Sequence, residues 1–204
     1  MNACSFFNIW MDFFKEVQCQ LSLEAFWNNK AEKTKILLGP KTSSFTDSPL
    51  GNFFTKKFPN YNYRKEDGSV DLSIYKMRFY KNIFNLYDPE DIKFKVHDLS
   101  TQPLEYPIFY DILVEHENVI ELCYQEMIKL TNYRSKLKVL ITYNWDKSET
   151  SDYRYVYETV PKNFKDIILQ SNQECQEVGT EYLLIIGQRV SSENVEWKKY
   201  IIKR

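Results

Sequence analysis

Glycine and histidine are scarce in this chain, five and two among 204 residues, and the four cysteines never fall in a Cys-x-x-Cys pair. The sequence has no Gly-rich phosphate loop, no Gly-x-Ser-x-Gly elbow, no kinase signature and no helix-turn-helix pattern. Nucleotide-dependent chemistry therefore has no support. Cys4, Cys19, Cys123 and Cys175 are too scattered for a zinc ribbon, and with only His97 and His116 to help, a His/Cys zinc site would need distant partners. Any metal is then expected to be a hard, oxygen-bound ion such as magnesium. The cysteines read as reduced core residues, which places the protein in the cytoplasm. Long apolar runs are missing as well. Met1 to Phe14 lacks a basic leader and is broken by Asn2, Asn8 and Asp12, so it reads as neither a signal peptide nor a membrane span.

What is present is aromatic surface to bury. Aromatic residues make up 16% of the chain, which argues for a packed fold and against disorder, and the length suits one domain over 1–204. The net charge of −1 conceals blocks of opposite sign. Asn28 to Lys65 holds eight Lys or Arg against two acids, and Glu66 to Ile128 thirteen acids against five bases. Such blocks describe either a solvated surface or a polyanion channel around a metal site, since phosphate binding needs clustered bases and not a basic total.

Periodicity gives the elements. Phe6, Trp10, Phe13, Phe14 and Val17 recur at helical spacing, and a second helix runs from Ser22 to Leu38, stopped by Gly39-Pro40. Lys41 to Asn52 reads as a loop and Phe53 to Phe58 as a short connector. The clearest hairpin joins Tyr61–Lys65 to Val70–Tyr75 through Asp67-Gly68-Ser69, with Asp71, Ser73 and Tyr75 on one face. Residues 77–106 read as an insertion. Tyr110 to Asn118 is a strand, Val119 to Tyr133 a helix and Lys136 to Tyr143 a strand, a βαβ crossover that predicts parallel, adjacent strands. A helix over Pro161–Cys175, a buried strand over Glu181–Gly187 and a closing strand over Val195–Ile202 complete the chain. The expected class is α/β, a mixed sheet flanked by helices.

Within Tyr110–Asn118, alternation puts Asp111, Leu113, Glu115 and Glu117 on one face. Two carboxylates beside an apolar strand are costly unless paired, hydrated or bound to a cation. The ordinary alternative is that Glu115 and Glu117 lie on a solvated edge. Glu24, in the first turn of its helix, either favours the helix dipole or adds a metal ligand. The order of a helix, a hairpin bearing Asp71, the run Asp111-Ile112-Leu113-Val114-Glu115-His116-Glu117-Asn118, the helix containing Gln125-Glu126-Met127-Ile128-Lys129-Leu130 and the strand Leu137–Tyr143 resembles the PD-(D/E)xK nuclease superfamily. The resemblance covers about three fifths of the chain, Leu21 to Tyr143, and implies a restriction-endonuclease-like fold that cuts DNA. It also implies that Asp71 and Glu115 hold Mg2+, or Mn2+, as catalytic carboxylates. The third motif position falls on Glu117, where the family usually has lysine and some relatives carry Glu, so Lys129 or Lys138 would supply that charge.

Phosphate contacts are expected from Lys56, Lys57, Arg64, Arg134, Lys136 and Lys138, with Lys30, Lys33 and Lys35 in the same basic block. One site per chain would call for a homodimer to cut both strands. No membrane partner is expected. The rival expectation keeps the fold without catalysis, as a module that binds protein or nucleic acid.

Overall fold

The computed structural model describes residues 1–20, 26–27, 30–40, 47–67, 70–76, 110–144, 155–171, 179–191 and 194–204. They form a mixed α/β architecture: one six-stranded sheet with helices on both faces. The strands are β1 (Asn62–Asp67), β2 (Val70–Tyr75), β3 (Tyr110–His116), β4 (Ser135–Asn144), β5 (Glu181–Arg189) and β6 (Val195–Lys203), in that spatial order. The first three are antiparallel neighbours, β3, β4 and β5 run parallel, and β6 returns antiparallel to β5. The predicted hairpin and the predicted parallel crossover are both present.

The helices are α1 (Ala3–Gln20), α2 (Lys30–Leu38), α3 (Pro49–Lys57), α4 (Cys123–Thr131) and α5 (Val160–Gln170). Phe6, Trp10 and Phe14 of α1, with Leu50 and Phe54 of α3, pack on the sheet face made by Leu72, Ile74, Ile112, Val114, Val139 and Ile185. The opposite face, made by Leu113, Leu140, Tyr182, Leu184 and Ile186, is covered by Met127 and Leu130 of α4 and by Phe164 and Ile168 of α5. The central strands are therefore apolar on both faces, and both faces are buried. Gly187 lacks a side chain where it has to: a Cβ there would stand 2.5 Å from the Trp197 ring. That ring in turn meets Trp10 edge-on, centroids 4.9 Å apart, and ties β6 to α1.

Two expectations need correction. The segment expected as loop and connector contains α3, which begins at Pro49 behind the Ser48 cap, with Gly51 N donating to Ser48 Oγ at 3.2 Å. Leu50, Phe53 and Phe54 are spaced to bury one side of that helix, so packing outweighs the loop-like composition. Of the three described cysteines read as core residues, Cys123 is buried but Cys4 and Cys19 are exposed, and all three are free thiols. Cys175, Glu24, His97 and the expected insertion at 77–106 lie outside the described residues. No helix among the described residues is long and apolar enough to cross a membrane.

Candidate carboxylate site

Register brings the two central acids together. Leu72 pairs with Val114 across β2 and β3, so one step further the antiparallel ladder sets Asp71 opposite Glu115. A backbone hydrogen bond holds the arrangement: His116 N donates to Asp71 Oδ2 at 2.8 Å. Glu115 shares the face of Leu113, under α4, and is 0% exposed. The expectation of a solvated edge carboxylate is therefore wrong for Glu115, because the crossover helix covers the end of its strand.

Helix α4 delivers the counter-charge. Lys129 Nζ stands 2.9 Å from Glu115 Oε1 and also makes an ion pair with Glu126, one turn earlier on the same helix. Both Glu115 oxygens are buried, and Lys129 is the cation that the described residues bring to them. Burial, and then the neighbouring Asp71, push the Glu115 carboxyl up to about 9, although Lys129 pulls against them. Burial also raises Asp71, to about 6, against the His116 N–H and the Lys129 charge. For Lys129 the balance runs the other way: burial draws its pKa down, but Glu126 and Glu115 outweigh burial and hold the ammonium above its ordinary value. Two neighbouring carboxyls both shifted well upward are a common mark of a functional site.

Glu126 was missed by sequence reasoning. The signal existed, because Glu126 and Lys129 are three apart in a helix and so share a side. Glu117, expected as the third catalytic acid, lies just past the end of β3. Its Oε1 accepts the Val119 N–H at 2.8 Å in the turn leading to α4. It acts on Cys123, whose thiol is pushed up to about 12 by burial, then Glu117 and Glu121. Asp111, buried, accepts the Lys76 N–H at 2.9 Å.

The expected phosphate contacts do not form one surface. Lys138 is 1% exposed; its Nζ donates to Tyr182 Oη at 3.1 Å, so the surface role is corrected: strand β4 is covered on both faces. Lys33 is likewise buried, 4.9 Å from the centre of the Tyr143 ring. Arg134 and Lys136 are exposed but stand at the start of β4, where Ser135 pairs with Tyr110 while Leu140 pairs with Glu115. Five residues of strand separate those levels, about 16 Å at roughly 3.3 Å per residue. Lys56 and Lys57 are exposed on α3, which packs on the other face, and Lys57 is paired with Asp12 at 2.5 Å. Arg64 pairs with Ser73, which pairs with Leu113, so it shares the face of Glu115.

Behind the site, His116 turns to the α1 face. Burial, and then Lys33, push its imidazole down to about 3, so the ring is neutral, with Nε2 2.9 Å from Tyr143 Oη. A cavity of about 330 Å³ lies between α1 and α3, lined by Phe13, Val17, Ile36 and Phe53 among others, and therefore on the far side of the sheet from the carboxylates. Among the described residues no three His, Cys, Asp or Glu side chains converge as a metal-holding group. Comparison of the chain with protein-family models, with curated proteins and with solved structures gives no match.

Proposed function

We propose that this chain is a divalent-cation-dependent nuclease of the PD-(D/E)xK type, acting on DNA phosphodiesters with Mg2+ or Mn2+. The observation that carries the reading is the juxtaposition of Asp71 and Glu115 across β2 and β3, with Lys129 Nζ 2.9 Å from the buried Glu115 carboxyl. A buried carboxyl directly opposite a second one suits a hard cation, and magnesium is commonly held by one or two carboxylates, with water and substrate phosphate completing its shell. Asp71 and Glu115 would hold the ion; when bound, it lowers the pKa of a water molecule and offsets charge building on the scissile phosphate. Lys129 supplies, from helix α4, the positive charge that the resemblance assigns to the position of Glu117. Glu126 fixes that lysine, and Arg64 is the base best placed to meet a phosphate on the same face. Two copies would serve the two strands of a duplex.

The test is cleavage of supercoiled and linear DNA with Mg2+ or Mn2+ by the wild type, Asp71→Asn and Glu115→Gln. Loss of nicking to background in both variants is expected, with the fold kept; undiminished cleavage by either would remove the pair from catalysis. The second reading, a non-catalytic module on the same fold, is favoured by one observation: the Lys129 ammonium already stands against the Glu115 oxygen that a cation would take. Its signature is DNA or protein binding indifferent to both substitutions and to chelation of divalent ions.

A further inference from the structure

Lys129 touches two carboxylates of unequal depth. The Glu115 side chain is 1% exposed, whereas those of Glu126 and Lys129 are 23% and 26% exposed. The ammonium therefore bridges an inner acid and an outer one, and it is the only cation that the described residues bring to Glu115. A divalent ion taking the Glu115 oxygens must displace this ammonium or suffer its repulsion. The lysine stem is flexible, and Glu126, three residues away on the same helix, can keep hold of it without any movement of the backbone.

We infer that Lys129 is a tethered counter-ion of Glu115 that competes with a divalent cation for the Asp71–Glu115 pair, and that Glu126 is the positioning residue that receives the ammonium when the cation enters. The inference rests on the proposed reading of that pair as the cation holder. It gives the two partners of one ion pair opposite effects. Without Lys129 the competitor is gone and the cation binds tighter; without the Glu126 charge the ammonium is left to Glu115 alone and the cation binds weaker.

The experiment is calorimetric titration of Mn2+ into the full chain, with no nucleic acid present. Lys129→Met is expected to bind Mn2+ roughly tenfold tighter than the wild type, and Glu126→Gln several-fold weaker, within the span of ordinary site-to-site couplings. Glu126→Asp, which keeps the charge, should return affinity toward wild type. Lys129→Gln, which keeps a donor near Glu115, is the second variant should the methionine disturb folding, and it must shift affinity in the same direction. A merely structural role would weaken binding in every variant, and that result overturns the inference. If the wild type binds Mn2+, Asp71→Asn abolishes it and Lys129→Met binds no tighter, the tethered competitor is refuted while the cation reading stands. If neither the wild type nor Lys129→Met binds, both fall.

Discussion

A carboxyl with raised pKa ties the stability of the protein to pH, and Glu115 does so over the widest range. A group whose folded pKa exceeds its unfolded value binds more protons when folded, so its stabilising effect is complete below the unfolded value and drains away as pH rises through the folded one. For Glu115 that span runs from its ordinary 4.5 to about 9, and for Asp71 from 3.8 to about 6. His116 has the opposite sign: its imidazole, held neutral at about 3 against an ordinary 6.5, contributes fully above 6.5 and loses that contribution as pH falls. Above pH 6.5, then, Glu115 alone of the three still acts. Without divalent ions, the wild type should lose stability between pH 6.5 and 9 by no more than about 1.4 kcal/mol per pH unit. Urea unfolding of Glu115→Gln should give a flatter profile across that range, and identical slopes would show that Glu115 is not the group responsible. At this scale the sequence was half legible. Asp71 and Glu115 stood out as acids on opposite sides of a hairpin-to-strand step, but nothing in a list of residues states the strand register that pairs them. Lys138 looked like a surface base because lysine generally is one; in a central strand covered on both sides, its ammonium instead finds the Tyr182 hydroxyl.

Single elements were legible where periodicity was strong and obscure where one residue governed the start. Helix α1, the β1–β2 hairpin and the β3–α4–β4 crossover follow from apolar spacing and turn residues. Helix α3 did not, because Ser48-Pro49 reads as a turn as readily as a cap followed by the first helical residue. In the folded chain Ser48 is fully buried and does three things. Its N–H donates to Tyr63 Oη at 3.2 Å, its Oγ accepts the Gly51 N–H, and its hydroxyl donates to Leu37 O at 3.1 Å, joining α2 to α3. Ser48→Ala removes the cap and leaves buried backbone groups without partners. A loss of about 1–2 kcal/mol is expected, read as a lower urea midpoint with an unchanged denaturant slope. An unchanged midpoint would mean that α3 is held by its apolar side alone.

For the molecule as a whole, the alternation of antiparallel and parallel pairs decides what lies beside what. The hairpin brings Asp71 to the end of β3 at which α4 begins, so the carboxyl pair and its lysine gather at one end of the sheet, while Arg134 and Lys136 remain at the other. Charge blocks along the chain carry no warning of this separation, because neighbours in the chain need not be neighbours along a sheet. The two faces also communicate at a single peptide. The residue that sends its ring toward Tyr143, in the aromatic layer under α1, is the one whose main-chain N–H is bonded to Asp71 on the opposite face. That proton is consequently a built-in probe: in a nitrogen-15 spectrum the His116 cross-peak should move as Asp71 titrates near pH 6 and stay still in Asp71→Asn, so occupancy of the pair can be followed at one resonance without any label in the cluster itself.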